Sequence, residues 1–396
     1  MPSSTSPSSV PPPPVGTVHE GALAAGLRLT ASDRPGQAQP VPTRDIPTRP
    51  WQAIALVALA IMLVATAGWE VWARNYGLRA GDIGDSPQAW AEMRSSIRPD
   101  DVVIVGDSRI LFDTDLAWFE RLTGVRPRQL AIHGTNGRVL MEDLTQDPDY
   151  RGLLIVGMAD TSFFRPEGAG IGGSWIENVA RNREPSQVSG LLLDRWLQRR
   201  VAFMDENVRL SQLLPRIDHG WRGEESAYGS VWKVDESFDH RQRFMWPRIE
   251  RPGYLQDQAR GAWNGFKGKP IPPPVASRVI GQSRVAARQL RARGGEVVFI
   301  RPPSSPELRV NEEQRLPRAR GWDALLAGVP ARGIHADDLP LAQGLDLPEY
   351  SHLSRTCARV FTDAYVRRLV ELTPRLRLRD DAPPPLSTAD CKGKLQ

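Results

Sequence analysis

Ser108 follows directly on a run of β-branched residues, in the sequence VVIVGDSRI. Such a run is typical of a strand buried on both faces of a parallel sheet, and ligands bind beyond the carboxyl ends of such strands. Gly106 permits a tight turn, and a serine at the start of the next helix can serve as a nucleophile. The alternative is that Ser108 only caps that helix. The tripeptide alone does not decide between these two roles.

A serine nucleophile needs a base, and the base needs an orienting carboxylate. His352 stands directly before the last predicted helix with Glu349 three residues ahead, so one short loop could deliver both groups. The alternative for His352 is an ordinary surface residue at a helix start. The other five histidines are less suitably placed. His19 precedes the apolar segment at 51–73, His133 ends a strand, His219 and His240 fall in an insertion, and His335 lies in a polar loop.

These pieces together resemble the SGNH, or GDSL-like, hydrolase superfamily. Gly106, Asp107 and Ser108 match its first block, and Gly134 stands where the oxyanion glycine of the second block falls. Glu349 to His352 fits the last block, Asp-x-x-His, with Glu replacing Asp. The resemblance implies a triad of Ser108, His352 and Glu349, with the N–H groups of Ser108 and Gly134 receiving the oxyanion. Asp346 is a second candidate for the acid.

Two positions need separate interpretation. Gly157 to Asp160 ends the third predicted strand, where the family pattern has an asparagine, and an ionised Asp160 cannot donate a hydrogen bond to an oxyanion. Asn136, two residues beyond Gly134, could supply that donor instead. Arg109 could hold an anionic or polyol substrate, or it could pair with Asp107 structurally, which is the interpretation we favour.

The elements around these residues alternate apolar runs with amphipathic stretches. This rhythm predicts an α/β fold, a three-layer α/β/α arrangement with a parallel sheet, SGNH-like and flavodoxin-like. The predicted strands are DVVIVGDS, RQLAIHG, RGLLIVGM, GGEVVFIRPP and a short fifth strand within GWDALLAGVPARGIHADDL. The predicted helices are 116–122, 138–144, 279–293 and 355–372. The segment IPPP at 271–274 is expected to be a break before the third of these helices.

Composition divides the rest of the chain. Residues 1–50 are dominated by Pro, Ser, Gly and Ala and are expected to be a disordered tail. Residues 51–73 carry no charge between Ala53 and Trp69 and have tryptophans at both ends, which predicts a transmembrane helix; a buried core helix and a signal peptide are the alternatives. A linker is expected at 74–99, the SGNH-like domain at 100–373 with an insertion at about 163–274, and a tail that packs little at 374–396.

Three further features narrow the function. The insertion contains six scattered tryptophans, which could form a sugar-stacking surface over the site or belong to the core. Cys357 and Cys391 are too few for a disulfide framework or a zinc site, and they could form one bridge or remain free. The formal net charge of +5 comes without a basic block interleaved with aromatic residues, so nucleic acid is not an expected partner.

A tethered domain of this type also resembles periplasmic acyltransferase-like proteins that add acyl groups to exopolysaccharide or cell-wall polymers. We therefore expect a serine esterase or O-acyltransferase in the bacterial inner membrane, with its soluble domain in the periplasm. Its substrate would be an acylated glycan or another ester, envelope-assembly proteins are possible partners, and no metal or cofactor is implied. The charges that flank the apolar segment are almost balanced and favour neither orientation strongly. The alternative is an inactive scaffold or glycan-binding subunit that keeps the fold and lacks a complete oxyanion hole.

Overall fold

A computed structural model of the 396-residue chain describes residues 49–165, 170–218, 233–263 and 268–391. The chain divides into two units, residues 1–63 and 64–396. Most of the tail predicted at 1–50 lies outside the described residues, and so do Trp221 and Trp232 of the insertion.

A five-stranded parallel sheet forms the centre of the second unit. Its strands lie in the order β2-β1-β3-β6-β7, and every neighbouring pair is parallel. They are β1 (Val102–Val105), β2 (Arg128–Gln129), β3 (Leu153–Gly157), β6 (Glu296–Arg301) and β7 (Arg332–His335). The predicted α/β class and parallel sheet are thereby confirmed, and this strand order is the one found in flavodoxin-like sheets.

Helices pack on both faces of this sheet, because alternate strand residues point to opposite sides. Ile104 and Ile155 belong to one buried apolar cluster, which contains Phe361 of the last long helix. Val103 and Leu154 belong to a second cluster on the other face. The near-continuous apolar runs of β1 and β3 therefore reflect burial on both faces.

The helices of the described residues number sixteen. In the first half of the chain they are α1 (Trp51–Asn75), α2 (Pro87–Ser95), α3 (Ser108–Phe112), α4 (Leu116–Thr123), α5 (Gly137–Gln146), α6 (Asp160–Phe163), α7 (Gly170–Glu177), α8 (Val179–Asn182) and α9 (Pro185–Gln198). After these come α10 (Leu210–Asp218), α11 (Tyr254–Gly261), α12 (Pro273–Ala292), α13 (Pro306–Arg315), α14 (Ala324–Gly328), α15 (Arg355–Leu372) and α16 (Thr388–Cys391). Short 3₁₀ or π turns lie at Ala202–Met204, Asp239–Arg241, Ala319–Asp323, Ala336–Asp338 and Pro340–Ala342.

The predicted helix at 279–293 begins earlier than expected, at Pro273. Prolines in the first turn of a helix lack only N–H groups that would have no partner within the helix. The IPPP segment is therefore partly the start of α12, and the expected break lies one or two residues before it.

The expected insertion interrupts the parallel sheet between β3 and β6. It contributes helices and a two-stranded antiparallel hairpin, β4 (Asp235–Phe238) with β5 (Gln242–Met245). Met245 and Trp246 form a separate small core with Ala73 and Ala202. This small core is therefore shared between the insertion and the residues around the end of the apolar segment.

The segment predicted as a linker at 74–99 is part of the folded domain. Trp90 of α2 is fully buried, and its indole N–H donates to the carbonyl of Leu130 at 3.0 Å. Asp82 and Asp85 are also buried, and Asp85 is paired with Arg241. The sequence pattern predicts a linker because Asp82 and Asp85 are residue types that are usually exposed. Their buried partners, Lys233 and Arg241, lie far away in the insertion.

The expectation that the C-terminal tail packs little was wrong for its described part. Leu376 is buried, and Leu386 packs against the cluster that contains α15. Cys357 of α15 and Cys391 are joined by a disulfide. Apolar residues spaced between the prolines and charges, together with this covalent link, hold the segment on the domain.

Helix α1 spans 25 residues and is long and apolar enough to cross a membrane, by length and composition. Among the residues that the structure describes, one helix is long and apolar enough to cross a membrane, and it is α1. A helix is therefore present where the sequence predicts one at 51–73, and its crossing of a membrane stays a prediction.

Candidate functional site

Ser108 lies at the carboxyl end of β1, as the first residue of α3. The preceding Gly106 has φ +148°, and a Cβ atom at that position would lie 2.5 Å from the carbonyl oxygen of Gly157. Only glycine fits so close to the neighbouring strand. The tight turn predicted from Gly-Asp-Ser is present, and it places Ser108 at the strand-end edge of the sheet.

Asp107 caps helix α3 and ties two strand ends together. Its Oδ1 accepts the N–H of Arg109 at 3.1 Å, and its Oδ2 accepts the N–H of Ala159 at 3.0 Å. Burial raises the pKa of this carboxyl group. The N-cap role weighed for Ser108 therefore belongs to Asp107, and the Ser108 side chain is not needed for it.

Glu349 and His352 are joined directly. The Nδ1 atom of His352 lies 2.8 Å from Oε1 of Glu349, and the same oxygen accepts the backbone N–H groups of Ser351 and His352 at 3.1 and 2.6 Å. Between them Tyr350 has φ +79°, a left-handed conformation that is uncommon for a non-glycine residue. This turn folds the chain back so that one carboxylate receives three donors.

The environment of His352 suits a general base. Burial alone would lower the pKa of the imidazole, but the charge and the hydrogen bond of Glu349 outweigh burial and raise it above the ordinary value. Nε2 is buried and has no hydrogen-bond partner among the described residues. With Nδ1 facing the carboxylate, Nε2 is the nitrogen that is open to accept a proton.

His352 contacts helix α3, the helix that begins at Ser108. The imidazole stacks on the ring of Phe112 with 4.4 Å between centroids, and Phe112 lies one helical turn after Ser108 on the same face. Ser108 Oγ is not hydrogen-bonded to His352 Nε2 in this structure. Catalytic hydrogen bonds are often absent or long without substrate, so the arrangement is compatible with a triad that closes on binding.

Asn136 is the strongest side-chain candidate for an oxyanion donor. Its Oδ1 caps α5 by accepting the N–H of Arg138 at 2.9 Å, while its Nδ2 is buried without a partner among the described residues. The next residue, Gly137, packs so closely on the Gly106 turn that an added Cβ would lie 2.8 Å from the Gly106 Cα. The start of α5 therefore lies against the turn that presents Ser108.

Gly134, the other predicted oxyanion residue, lies two residues before Asn136. Its φ is +65°, which is the left-handed region that glycine adopts without strain. The loop 134–136 is held in place because Ser162 Oγ donates to the carbonyl of Thr135 at 3.0 Å. Residues 134–136 thus form a fixed loop that leads into α5, whose start packs against the turn before Ser108.

The expected structural pairing of Arg109 with Asp107 was wrong in its partner. The Arg109 guanidinium forms a buried ion pair with Glu312, and its Nε donates to Ser351 Oγ at 3.1 Å. Arg109 therefore links the helix that carries Ser108 to the loop that carries His352. Its Nη1 is buried and has no partner among the described residues.

Asp160 lies at the far end of the same ion network. Its Oδ2 accepts from Arg301 Nε at 3.1 Å, and Arg301 pairs with Glu312 at 2.6 Å. Burial raises the pKa of Asp160. The Asp160 carboxylate, at the position where the SGNH pattern has an asparagine, thus bonds an arginine at a strand end.

Three groups in this region were not found from the sequence. Glu312 sits within a helix with a strongly polar sequence and gives no local signal. Arg301, at the carboxyl end of β6, occupies a position where chemistry is expected and could have been singled out. Asp113 is fully buried, accepts the N–H of Leu353 at 2.9 Å, and has its pKa raised to about 8 by burial.

The insertion reaches the site through one of its tryptophans. Trp263 Nε1 donates to Oε2 of Glu349, and Arg260 of α11 donates to the carbonyl of Pro348 at 2.8 Å. Trp175 and Trp246 are buried in apolar clusters, and Trp196 is exposed. Of the described tryptophans of the insertion, Trp263 therefore contacts the predicted triad, whereas Trp175 and Trp246 fit the core interpretation.

Asp346, the second candidate for the acid, has a different neighbourhood. Its carbonyl accepts the N–H of Ser354 at 3.0 Å, and its carboxyl group bonds the Ser354 side chain. Glu349 is the carboxylate that bonds the imidazole.

A cavity of about 310 Å³ lies between helix α2 and the β4–β5 hairpin. It is lined by the 83–96 segment and by the β4–β5 hairpin, including Asp85 and Arg241, and by none of the six predicted site residues.

Comparisons of the chain with protein-family profiles, with curated proteins and with solved structures found no significant match.

Proposed function

We propose that the chain is a membrane-anchored serine esterase or O-acyltransferase of the SGNH type. Ser108 is the nucleophile, His352 is the general base and Glu349 orients the imidazole. The observation that carries the proposal is the His352 side chain, which is fixed to Glu349 through Nδ1 and has a buried, unpartnered Nε2 among the described residues. A structural histidine would be expected to have both ring nitrogens satisfied.

The reaction proceeds in two steps. Ser108 Oγ attacks the carbonyl carbon of an ester while His352 Nε2 takes the hydroxyl proton. The tetrahedral intermediate expels the alcohol, which receives that proton from His352, and leaves an acyl group on Ser108. Water or a glycan hydroxyl then attacks the acyl-enzyme while His352 takes its proton. The second tetrahedral intermediate breaks its bond to Ser108 Oγ, which receives that proton from His352, and releases a carboxylic acid or an acylated glycan.

The oxyanion of each intermediate requires donors, and Asn136 supports this part of the proposal. Its buried Nδ2 has an unused hydrogen-bonding capacity, and a backbone N–H at the left-handed Gly134 can complement it. Asp160 is occupied by Arg301 and is not assigned to this task.

The membrane helix supports the choice of substrate class. Helix α1 would hold the domain at the surface of a bacterial inner membrane, on the periplasmic side, near acylated envelope or exopolysaccharide glycans emerging there. Arg109 is committed to Glu312 and Ser351, so we assign it to positioning and not to substrate binding.

Labelling of the full-length protein with a fluorophosphonate probe tests the proposal. The wild type and the variant Ser96→Ala, which alters an exposed serine at the end of α2, should both be labelled, and Ser108→Ala should not. Equal labelling of Ser108→Ala and the wild type, or no labelling of any well-folded form, would reject the serine-nucleophile mechanism. The second result would favour the alternative of a scaffold or glycan-binding subunit.

A further inference from the structure

The end of helix α1 is fixed to the insertion. Glu70 accepts the backbone N–H groups of Ala202 and Phe203 at 2.8 and 3.1 Å, and Trp69 stacks on the Phe203 ring with 5.3 Å between centroids. Ala73 is buried in the small core of the insertion. The turn Ala202–Met204 therefore lies beside Trp69, near the end of the apolar segment.

Helix α9 leads directly into this turn and exposes apolar side chains. Leu192, Leu193 and Trp196 are each more than half exposed. Leu191, on the same helix, is buried. The N–H of Gly81, just after α1, donates to the carbonyl of Gln198 at 2.8 Å. The C-terminal end of α9 is thus tied to the segment that follows α1.

A second exposed apolar pair adjoins α9. Leu210 and Leu214 lie one turn apart on α10 and are each more than half exposed. Arg209, next to Leu210, forms an ion pair with Asp194, next to Leu193, at 3.6 Å. We call these five residues the apolar patch: Leu192, Leu193, Trp196, Leu210 and Leu214.

Basic side chains border the apolar patch. The Arg200 guanidinium lies 4.3 Å from the centre of the Trp196 ring, and Arg199, at the same helix end, is paired with Asp239. Leucine and tryptophan combined with arginine are the side chains of helices that lie in the membrane interface, where arginine reaches the phosphates and the ring reaches the acyl boundary. A tryptophan and four leucines exposed together are unusual on a surface that faces only water.

We propose that the apolar patch rests on the outer surface of the same bilayer that α1 crosses, with its leucines and Trp196 at the boundary between headgroups and acyl chains. The occupant is lipid and not a protein, because the patch is continuous, through Glu70 and the Ala202–Met204 turn, with the end of the membrane helix. The inference rests on the proposed membrane anchoring and is independent of the esterase chemistry.

Nitroxide labels on the full-length protein test this orientation. Single cysteines replace Leu193 in the patch, Val64 in α1, and Val310 in α13 as a matched control that is as exposed as Leu193. The protein is reconstituted in lipid nanodiscs of phosphatidylcholine with a minority of phosphatidylglycerol. Collision rates of each label with oxygen, which concentrates in lipid, and with a water-soluble nickel chelate are then measured.

The label at Leu193→Cys should show a several-fold higher ratio of oxygen to nickel collisions than the label at Val310→Cys. Equal ratios at these two positions, with a lipid-like ratio at Val64→Cys, would overturn the inference while leaving the anchor intact. A water-like ratio at Val64→Cys would instead contradict the anchoring itself. Protection of Leu193→Cys from both reagents would mean that protein covers the patch, which also overturns the proposal.

Discussion

His352 Nδ1 lies 2.8 Å from Glu349 Oε1, and that oxygen also accepts the backbone N–H of His352 at 2.6 Å. One carboxylate thus fixes both the position of the residue and the orientation of its ring. Because an ionised carboxylate can only accept a hydrogen bond, Nδ1 is the nitrogen that donates in this pair, which leaves Nε2 as the basic atom. The charge of Glu349 therefore affects the pKa of His352, and its position fixes the orientation of the ring.

The variant Glu349→Gln should lower kcat/KM for an activated acetyl ester by roughly 10² to 10⁴, as expected when the orienting acid of a triad loses its charge. The base must be neutral to act. Because Glu349 raises the pKa of His352 against the effect of burial, the acid limb of the wild-type pH profile should lie above the ordinary histidine value. In the variant that limb should move to lower pH.

The control for this experiment is Asp346→Asn, which alters the nearby carboxyl group that bonds Ser354. Its acid limb should coincide with that of the wild type. An unmoved acid limb in Glu349→Gln would contradict the assigned role of the carboxylate.

The variant Asn136→Asp separates capping from catalysis. It keeps the oxygen that accepts the N–H of Arg138, so thermal stability should stay close to that of the wild type. It replaces the unpartnered amide donor with an acceptor, so kcat should fall by roughly 10² to 10³.

Asn136→Ala provides the comparison, because it removes both the donor and the cap. It should lose the same activity and, in addition, about 1 kcal/mol of the free energy of unfolding. Full activity in Asn136→Asp would show that the oxyanion is stabilised elsewhere.

Asp113→Asn should change how stability depends on pH. The pKa of Asp113 is raised to about 8 in the folded protein, whereas an unfolded aspartate titrates near about 4. Between these values the folded chain holds the extra proton, so the free energy of unfolding falls as pH rises, by at most about 1.4 kcal/mol per pH unit. Above the folded value this loss is complete.

The asparagine variant removes this contribution while keeping an oxygen for the N–H of Leu353. Urea unfolding of the detergent-solubilised chain, followed by tryptophan fluorescence at several pH values, should give a flatter curve for Asp113→Asn. The exposed Asp149→Asn should retain the wild-type slope. Identical slopes for all three proteins would refute a protonated Asp113.

Breaking the disulfide should destabilise the domain. Cys357 and Cys391 are 34 residues apart, and closing a loop of this length stabilises a fold by roughly 3 to 4 kcal/mol in the chain-entropy model. The variant Cys391→Ala should therefore unfold at lower urea than the wild type, and dithiothreitol should lower the wild-type midpoint while leaving the variant unchanged. If dithiothreitol left the urea midpoint of the wild type unchanged, this result would argue against the Cys357–Cys391 disulfide.

Much of the fold was predictable because its signals are local. The apolar runs of β1 and β3 and the pattern of α15 predicted strands and a helix that the structure contains, with α15 at its predicted bounds. Glu349 and His352 also lie within one short loop, so their spacing was informative. The prediction of strand 2 was too long, since only Arg128 and Gln129 pair as a strand.

The rest depended on contacts between distant parts of the chain. Arg109 and Glu312 are 203 residues apart, and no local pattern indicates that they pair. The segment 74–99 resembles a linker until Asp85 is seen against Arg241, 156 residues away. Buried charges of this kind are visible only once the fold has brought their partners together.

The contacts of Trp263 and Arg260 with the loop 348–349 bear on how this domain could be shortened or recombined. The insertion is not a removable module, because the residues at the end of α11 contact the loop that positions Glu349, and Glu349 bonds the His352 imidazole. A chimaera that exchanged this segment for that of another α/β protein would keep the sheet and Ser108 but leave the acid without one of its four donors. Any redesign of the insertion must therefore preserve Arg260 and Trp263 at its end.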